Sequence, residues 1–284
     1  MREPAGRPPS GSTKGNRLLE AISASEREWL ESRWSRVSFE FKQVLYRLGD
    51  PIERLYFPDS GVVSLVSVMR DGRSAEVATV GAEGVIGVHV MYGATTMPCE
   101  VVAQSSVAAR VIDVDDLWAD SRMGGALPPM LCRYAHALLI QTMQTAGCNK
   151  LHSIRQRAAR WILTMHDRVG TNSFPLTQEL LGVMLGARRQ SVNAVARSLQ
   201  RARAIDYRHG AMVVRNRAKL EHAACECYRI VSDQFARILT RSGEREPGRA
   251  TPPLCPCCGA HSDRAFRPGS VRQRTDRQLA RVGK

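Results

Sequence analysis

No apolar run in the sequence approaches the roughly 18 residues that a membrane-spanning helix needs. Nor does the chain open on a charged and then apolar leader, because residues 1–17 are polar and rich in proline, glycine and serine. These absences point to a cytoplasmic protein with no membrane partner. Catalytic signatures are missing too: there is no Gly-x-Ser-x-Gly elbow, no Walker phosphate loop and no paired-histidine metal motif. "GAEGVIG" at 81–87 reads as turn glycines between strands, and His89, His136, His152 and His166 stand isolated. The expectation is a chain that is not an enzyme and holds no cofactor and no metal. The eight cysteines, at 99, 132, 148, 225, 227, 255, 257 and 258, form no dense framework. A reducing compartment follows.

Charge is present, and it is uneven. Residues 1–152 hold 16 Lys and Arg against 17 Asp and Glu, residues 153–245 hold 17 against 7, and residues 246–284 hold 8 against 3. A neutral first half joined to a basic second half reads as a polyanion-binding module attached to something else.

The pattern along the chain indicates an α+β protein. Residues 1–17 read as disordered. Residues 18–37 read as a helical lead-in to a domain spanning 18–127, with Leu18, Leu19, Ile22, Trp29 and Leu30 as its apolar contacts. From 38 to 113 short β-branched runs alternate with turn residues; "VVSLVSVM" and "SAEVATV" around Asp71-Gly72 predict a hairpin. Strands at this spacing predict a β-sandwich or a jelly-roll β-barrel.

Pro128-Pro129 begin a long helix over 128–152. One of its seams carries Leu131, Tyr134, Leu138, Gln141, Thr145, Cys148 and His152; a second face carries Ala135, Leu139, Thr142 and Ala146. Two faces to bury predict a homodimer, with the first seam at the interface and the second on the chain's own β domain. The alternative is an intramolecular helix whose mixed stripe is simply core. Ser153 then caps a helix through Met165, opening a domain that runs to about 240, and residues 241–284 read as a basic, disordered tail.

The informative stretch is "LTQELLGVMLGARRQSVNAVARSLQRARAIDYRHGAMVV", from Leu176. Thr177 caps a helix through Leu185, and Gly186 permits a tight turn. The next helix carries Val192, Val195, Ala196 and Leu199 on one stripe and Arg189, Asn193 and Arg197 on the opposite row, with Gln190 beside them. Arg188 and Arg189 fall on its first turn, where the helix dipole is already positive. Charges placed there serve a partner. The arrangement is a helix-turn-helix, with arginines for guanine edges or phosphates and Gln190 and Asn193 suited to adenine. "IDYRHGAMVV" adds a hairpin wing that places Arg208 and His209 near phosphates. The alternative, a merely solvated arginine face, does not account for the charge asymmetry, turn glycine, apolar stripe and hairpin together.

At these residues the chain resembles the Crp/Fnr transcription regulators, and its succession of β-roll, long helix and wing is similar over roughly 38–240. The resemblance implies a sequence-specific regulator: a jelly-roll sensor domain, a dimer helix, a winged helix-turn-helix on double-stranded DNA, and contact with RNA polymerase. It implies that Arg189 reads a guanine and that Thr177, Gln178 and Ser191 approach phosphates. Gln190 stands where a glutamate is frequent and Ala194 where an arginine is frequent; both departures bear on the operator sequence and leave DNA binding intact.

The sensor domain departs further. Cyclic-nucleotide-binding members use a Gly-Glu pair for ribose and an arginine for phosphate, whereas this chain has Gly87-Val88 and Met97-Pro98-Cys99. Burying a cyclic phosphate without its cation is costly. The β-roll is therefore expected not to respond to cAMP. An iron–sulfur mechanism with an N-terminal cysteine cluster is not expected either, since no cysteine precedes Cys99. Two rivals remain. A zinc- or redox-sensing regulator would use Cys225 and Cys227 with Cys255, Cys257, Cys258 and His261, although two cysteines two apart on a helix diverge by about 200°. A basic RNA-binding protein is the other, against which the wing and recognition helix favour duplex DNA.

Overall fold

The computed structural model describes residues 15–122, 125–208 and 210–240. Residues 1–14 and 241–284, which hold most of the expected disordered N-terminus and all of the expected tail, lie outside the described residues. Two short helices open the described chain, α1 (Arg17–Glu20) and α2 (Ala24–Glu31). Buried Asn16 caps α1 by accepting from the amides of Leu18 and Leu19. Its own amide group donates to the carbonyls of Pro58 and Gly84, which fixes the lead-in to the roll. The helical lead-in expected over 18–37 ends at Glu31. Trp34 is followed by a strand because Val37 and Phe39 alternate with exposed Arg36 and Ser38.

The roll contains β1 (Ser35–Phe39), β2 (Val44–Tyr46), β3 (Arg54–Ser60), β4 (Val63–Val68), β5 (Ser74–Val80), a 3-10 turn (Val88–Tyr92), β6 (Glu100–Ala103) and β7 (Val107–Asp113). One sheet has the order β1-β7-β3 and the other β2-β6-β4-β5, all antiparallel. The result is a two-sheet antiparallel roll, the jelly-roll arrangement expected from the strand spacing. Its hydrogen bonds leave the sheets joined through loops and core, with Leu55, Phe57, Leu65, Val80, Val101 and Ile112 buried between them.

The first four residues of β4, Val63 to Val66, are all buried because the strand is covered on both faces. Val63 and Leu65 belong to the roll core, whereas Val62 and Val66 pack with the C-terminal domain. A short helix, α3 (Val114–Arg122), follows β7. The long helix α4 (Leu127–Leu151) then starts at the expected prolines, and the carboxylate of Glu26 accepts the amides of Ala126 and Leu127 at 2.7 and 2.8 Å. Prolines remove two further unpaired donors from this helix end.

The helical path breaks at His152, which is extended, and Ser153 caps α5 (Ile154–Val169) through a capping box with Gln156. Next come β8 (Ser173–Pro175), α6 (Gln178–Leu185), α7 (Arg189–Arg201), β9 (Ile205–Arg208), β10 (Ala211–Val214), α8 (Arg217–Ala223) and α9 (Cys227–Thr240). The wing sheet has the order β8-β10-β9. Helix α9 returns along α4, and Phe235 meets Tyr134 with ring centroids 6.0 Å apart.

That return corrects the expected dimer seam. Leu131, Tyr134, Leu138, Gln141, Thr145 and Cys148 are all buried within the single chain. Gln141 donates to Thr79 of β5, and Cys148 meets cysteines near α9. The covering helix lies up to about 100 residues later in sequence, so periodicity registered an apolar seam without identifying what covers it. The opposite stripe is the exposed one, with Leu139 at 52% and Met143 at 65% exposure.

Candidate nucleic-acid interface

Thr177 is the N-cap of α6, its Oγ1 accepting from the Leu180 amide at 3.1 Å. Gly186 ends the helix with φ +55° and ψ +40°, and its amide donates back to Gly182 and Val183. This left-handed cap favours glycine and sends the chain directly into α7. Arg188 is the N-cap of α7 in extended conformation, one position earlier than the sequence indicated; Arg189 is the first helical residue.

Val192, Val195, Ala196 and Leu199 are buried against α5, α6 and the wing, as their spacing requires. On the other side Arg188, Arg189, Gln190 and Arg197 are exposed. Ser191 and Asn193 are half-buried, and the Asn193 Oδ1 is buried without a hydrogen-bond partner. Of the predicted row, Arg189 and Arg197 therefore present the freest donors. Thr177 and Gln178 are half-buried at the start of α6, close to the N-terminus of α7. Arg208 lies at the end of β9, but its side chain and all of His209 are outside the described residues.

The interface borders the roll. Thr177, Gln178, Arg188 and Arg189 line one wall of an open cleft whose other wall includes Met69 and Arg73 of the β4–β5 hairpin. Several contacts hold the two walls in register. The Met184 thioether of α6 lies 3.7 Å from the Ser64 hydroxyl of β4, and within the helical wall Arg157 of α5 donates to the Leu185 carbonyl of α6. Arg168 of α5 pairs with Glu83 at 2.7 Å and donates to Thr79. Both partners of the ion pair are nearly buried, so its removal would leave an uncompensated charge.

A second group of reactive side chains was not legible as a group. Cys148 and His152, at the end of α4, meet Cys225 and Cys227, and their ligand atoms all lie within 4.8 Å of one another. The sequence pattern puts Cys148 on the dimer seam and puts Cys225 and Cys227 on one helix, pointing apart. Instead Cys225 precedes α9 and Cys227 is its first residue, so the helical divergence does not apply. Cys255, Cys257, Cys258 and His261 lie outside the described residues.

Residues 156–223 match the family model of a Crp-like helix-turn-helix domain, and residues 36–119 match that of a cyclic nucleotide-binding domain. FixK2 from Bradyrhizobium japonicum is similar in structure with a TM-score of 0.59 at 17% identity, over 68% of this chain and 98% of its own. CLP, a c-di-GMP-responsive global regulator from Xanthomonas campestris, gives 0.55 at 17% identity over 68% and 99%. A CRP-family transcriptional regulator from Thermus thermophilus gives 0.55 at 18% identity over 66% and 96%. At these identities the likeness is one of fold. No curated protein sequence matches the chain.

Proposed function

Because the chain belongs to the Crp/Fnr-type transcription regulators, we propose that it binds an inverted-repeat operator as a homodimer and is not switched by cAMP. The observation that carries the DNA reading is the exposed Arg189–Arg197 row on a helix whose opposite stripe is buried. Arg189 reads a base edge; Arg188, Arg197, Arg208 and His209 meet phosphates; Gln190 and Asn193 border the bases, with Thr177, Gln178 and Ser191 at the backbone. In this reading residues 18–127 form the sensor domain, 128–152 the dimer helix and 153–240 the DNA-binding domain.

Dimerisation rests on the exposed face of α4. Cys132, His136, Leu139 and Met143 recur at helical spacing, and the two long apolar side chains among them are more than half exposed. A second copy of α4 set against this stripe would bury them and relate two recognition helices by a two-fold axis. In the roll, Val88 and Met97 are each 1% exposed and packed among apolar neighbours. An apolar interior at both positions supports an effector other than a cyclic phosphate. The chain acts as a regulator rather than an enzyme, in the cytoplasm where its DNA lies, with RNA polymerase as a further partner. No described helix is long and apolar enough to cross a membrane.

Selection of bound duplexes from a random DNA pool tests this function. Enrichment of a two-fold-symmetric site with half-site centres about 10 bp apart is the expected result. Equal retention of single-stranded RNA in competition would replace it with the basic RNA-binding reading.

A further inference from the structure

The four side chains at the break between α4 and α5 have the composition and spacing of a metal centre. Cys148 Sγ lies 3.5 Å from Cys225 Sγ, and Cys227 Sγ lies 3.5 Å from His152 Nδ1. In a tetrahedral zinc site with Zn–S of about 2.3 Å and Zn–N of about 2.0–2.1 Å, neighbouring sulfurs stand about 3.8 Å apart and a sulfur and a nitrogen about 3.6 Å apart. Two of the six edges are already close to those lengths and all lie within 4.8 Å, so ligation needs side-chain adjustments of up to about an ångström. We propose that Cys148, His152, Cys225 and Cys227 form a Cys3His site for a thiophilic divalent cation of the zinc class.

The surroundings are those of such a centre. Glu226 approaches His152 Nε2 at 3.2 Å, which holds the proton on Nε2 and turns the Nδ1 lone pair toward the thiols. Gln144 donates to Cys227 Sγ at 3.1 Å, as amides do to metal-bound thiolates. Three thiolates, a neutral imidazole and a divalent cation carry one net negative charge. Arg157 and Arg160 lie beside the cysteines, both nearly buried, and the Nε of each is buried without a hydrogen-bond partner. They supply the compensating positive charge.

The position gives the site a consequence. Its ligands come from the last turn of the long helix and from the entry to α9, which packs back along that helix. A bound ion would tie both ends of the DNA-binding domain to α4, since α5 leaves the junction and α8 returns to it. This inference stands whether or not the operator reading holds.

Cobalt(II), which reports thiolate ligation and tetrahedral geometry by its absorption, is the probe. It is titrated into reduced, full-length protein in which Cys255, Cys257 and Cys258 are replaced by serine, so that the tail cannot contribute. One equivalent per chain with sulfur-to-cobalt charge-transfer and intense tetrahedral bands is expected, displaced by zinc. Cys148→Ser and Cys227→Ser should each abolish or shift those bands. Because these buried substitutions can disturb folding, Glu226→Gln is the surface control: it should leave the fold intact and weaken zinc binding about tenfold or more. Absence of tetrahedral bands, bands that survive both cysteine substitutions, or a Cys148–Cys225 disulfide that forms undiminished in the presence of zinc would each overturn the assignment.

Discussion

The indole Nε1 of Trp161 donates to Oε1 of Glu76 at 2.8 Å, joining α5 of the DNA-binding domain to β5 of the roll. Ser64 donates to the other carboxylate oxygen at 2.5 Å. The carboxyl is wholly enclosed, and burial pushes it up to about 7 against the opposing pull of these two donors and of Arg160 and Arg168. A neutral-pH titration therefore sits in the contact between the roll and the DNA-binding domain.

The sign of its effect follows from proton binding. Unfolded, the carboxyl titrates near its ordinary value of 4.5; folded, it keeps its proton to about 7. Between those values the native state binds more protons, so the contribution of Glu76 is full below 4.5 and declines as pH rises to 7. Glu76→Gln keeps an acceptor for Trp161 and removes the titration. Thermal melts at pH 5 and pH 8 should show wild type losing stability relative to the variant, on the order of a few kcal/mol. Parallel pH profiles would mean that Glu76 ionises as a surface carboxylate does.

Legibility tracked the range of the interactions. Local devices were readable: the Ser153 cap, the prolines opening α4, the left-handed turn at Gly186 and the inward stripe of α7 all depend on residues within one or two turns. What covers a surface was not. The α4 seam and the cysteine cluster are completed by α9 and its entry loop, about 75 to 100 residues away, and nothing in a local period specifies such a partner. The hairpin β4–β5 shows the same limit. Its two strands pair as the sequence predicts, but the run at Val62–Val66 carries no sign that its second apolar face belongs to the DNA-binding domain.

The exposed and covered faces of α4 predict opposite outcomes for nearby residues. Met143→Glu should leave the melting temperature nearly unchanged and shift the sedimenting species to monomer, because it charges the exposed stripe. Leu138→Glu places a charge at a position 7% exposed within the chain and should cost several kcal/mol of stability. Sedimentation of Met143→Glu as a dimer would move the interface off this stripe.

For the roll, calorimetry with cAMP should show no saturable heat in the micromolar range. Val88 and Met97 offer neither the carboxylate nor the guanidinium that a cyclic phosphoribose needs, and both sit in packed apolar surroundings. Stoichiometric binding would show that the roll recognises the nucleotide through other groups.

The arginines of α7 should fail in different ways. A two-fold dimer presents its recognition helices about 34 Å apart, so each substitution acts once per half-site. Arg189 is exposed on the first helical turn; if it reads a base edge as proposed, Arg189→Ala should cost about 1–3 kcal/mol per half-site and relax the preference at one symmetric position. Arg197, exposed two turns later, is the proposed phosphate contact. Arg197→Ala should weaken binding to all sequences alike and make the salt dependence shallower by about one unit of slope for each phosphate left unneutralised. Titrations on the selected site and on a scrambled duplex, at several salt concentrations, separate the two. If Arg189→Ala weakens binding equally on both duplexes, Arg189 is a phosphate clamp, and base recognition passes to Gln190 and Asn193, the remaining polar side chains beside it on the same helix.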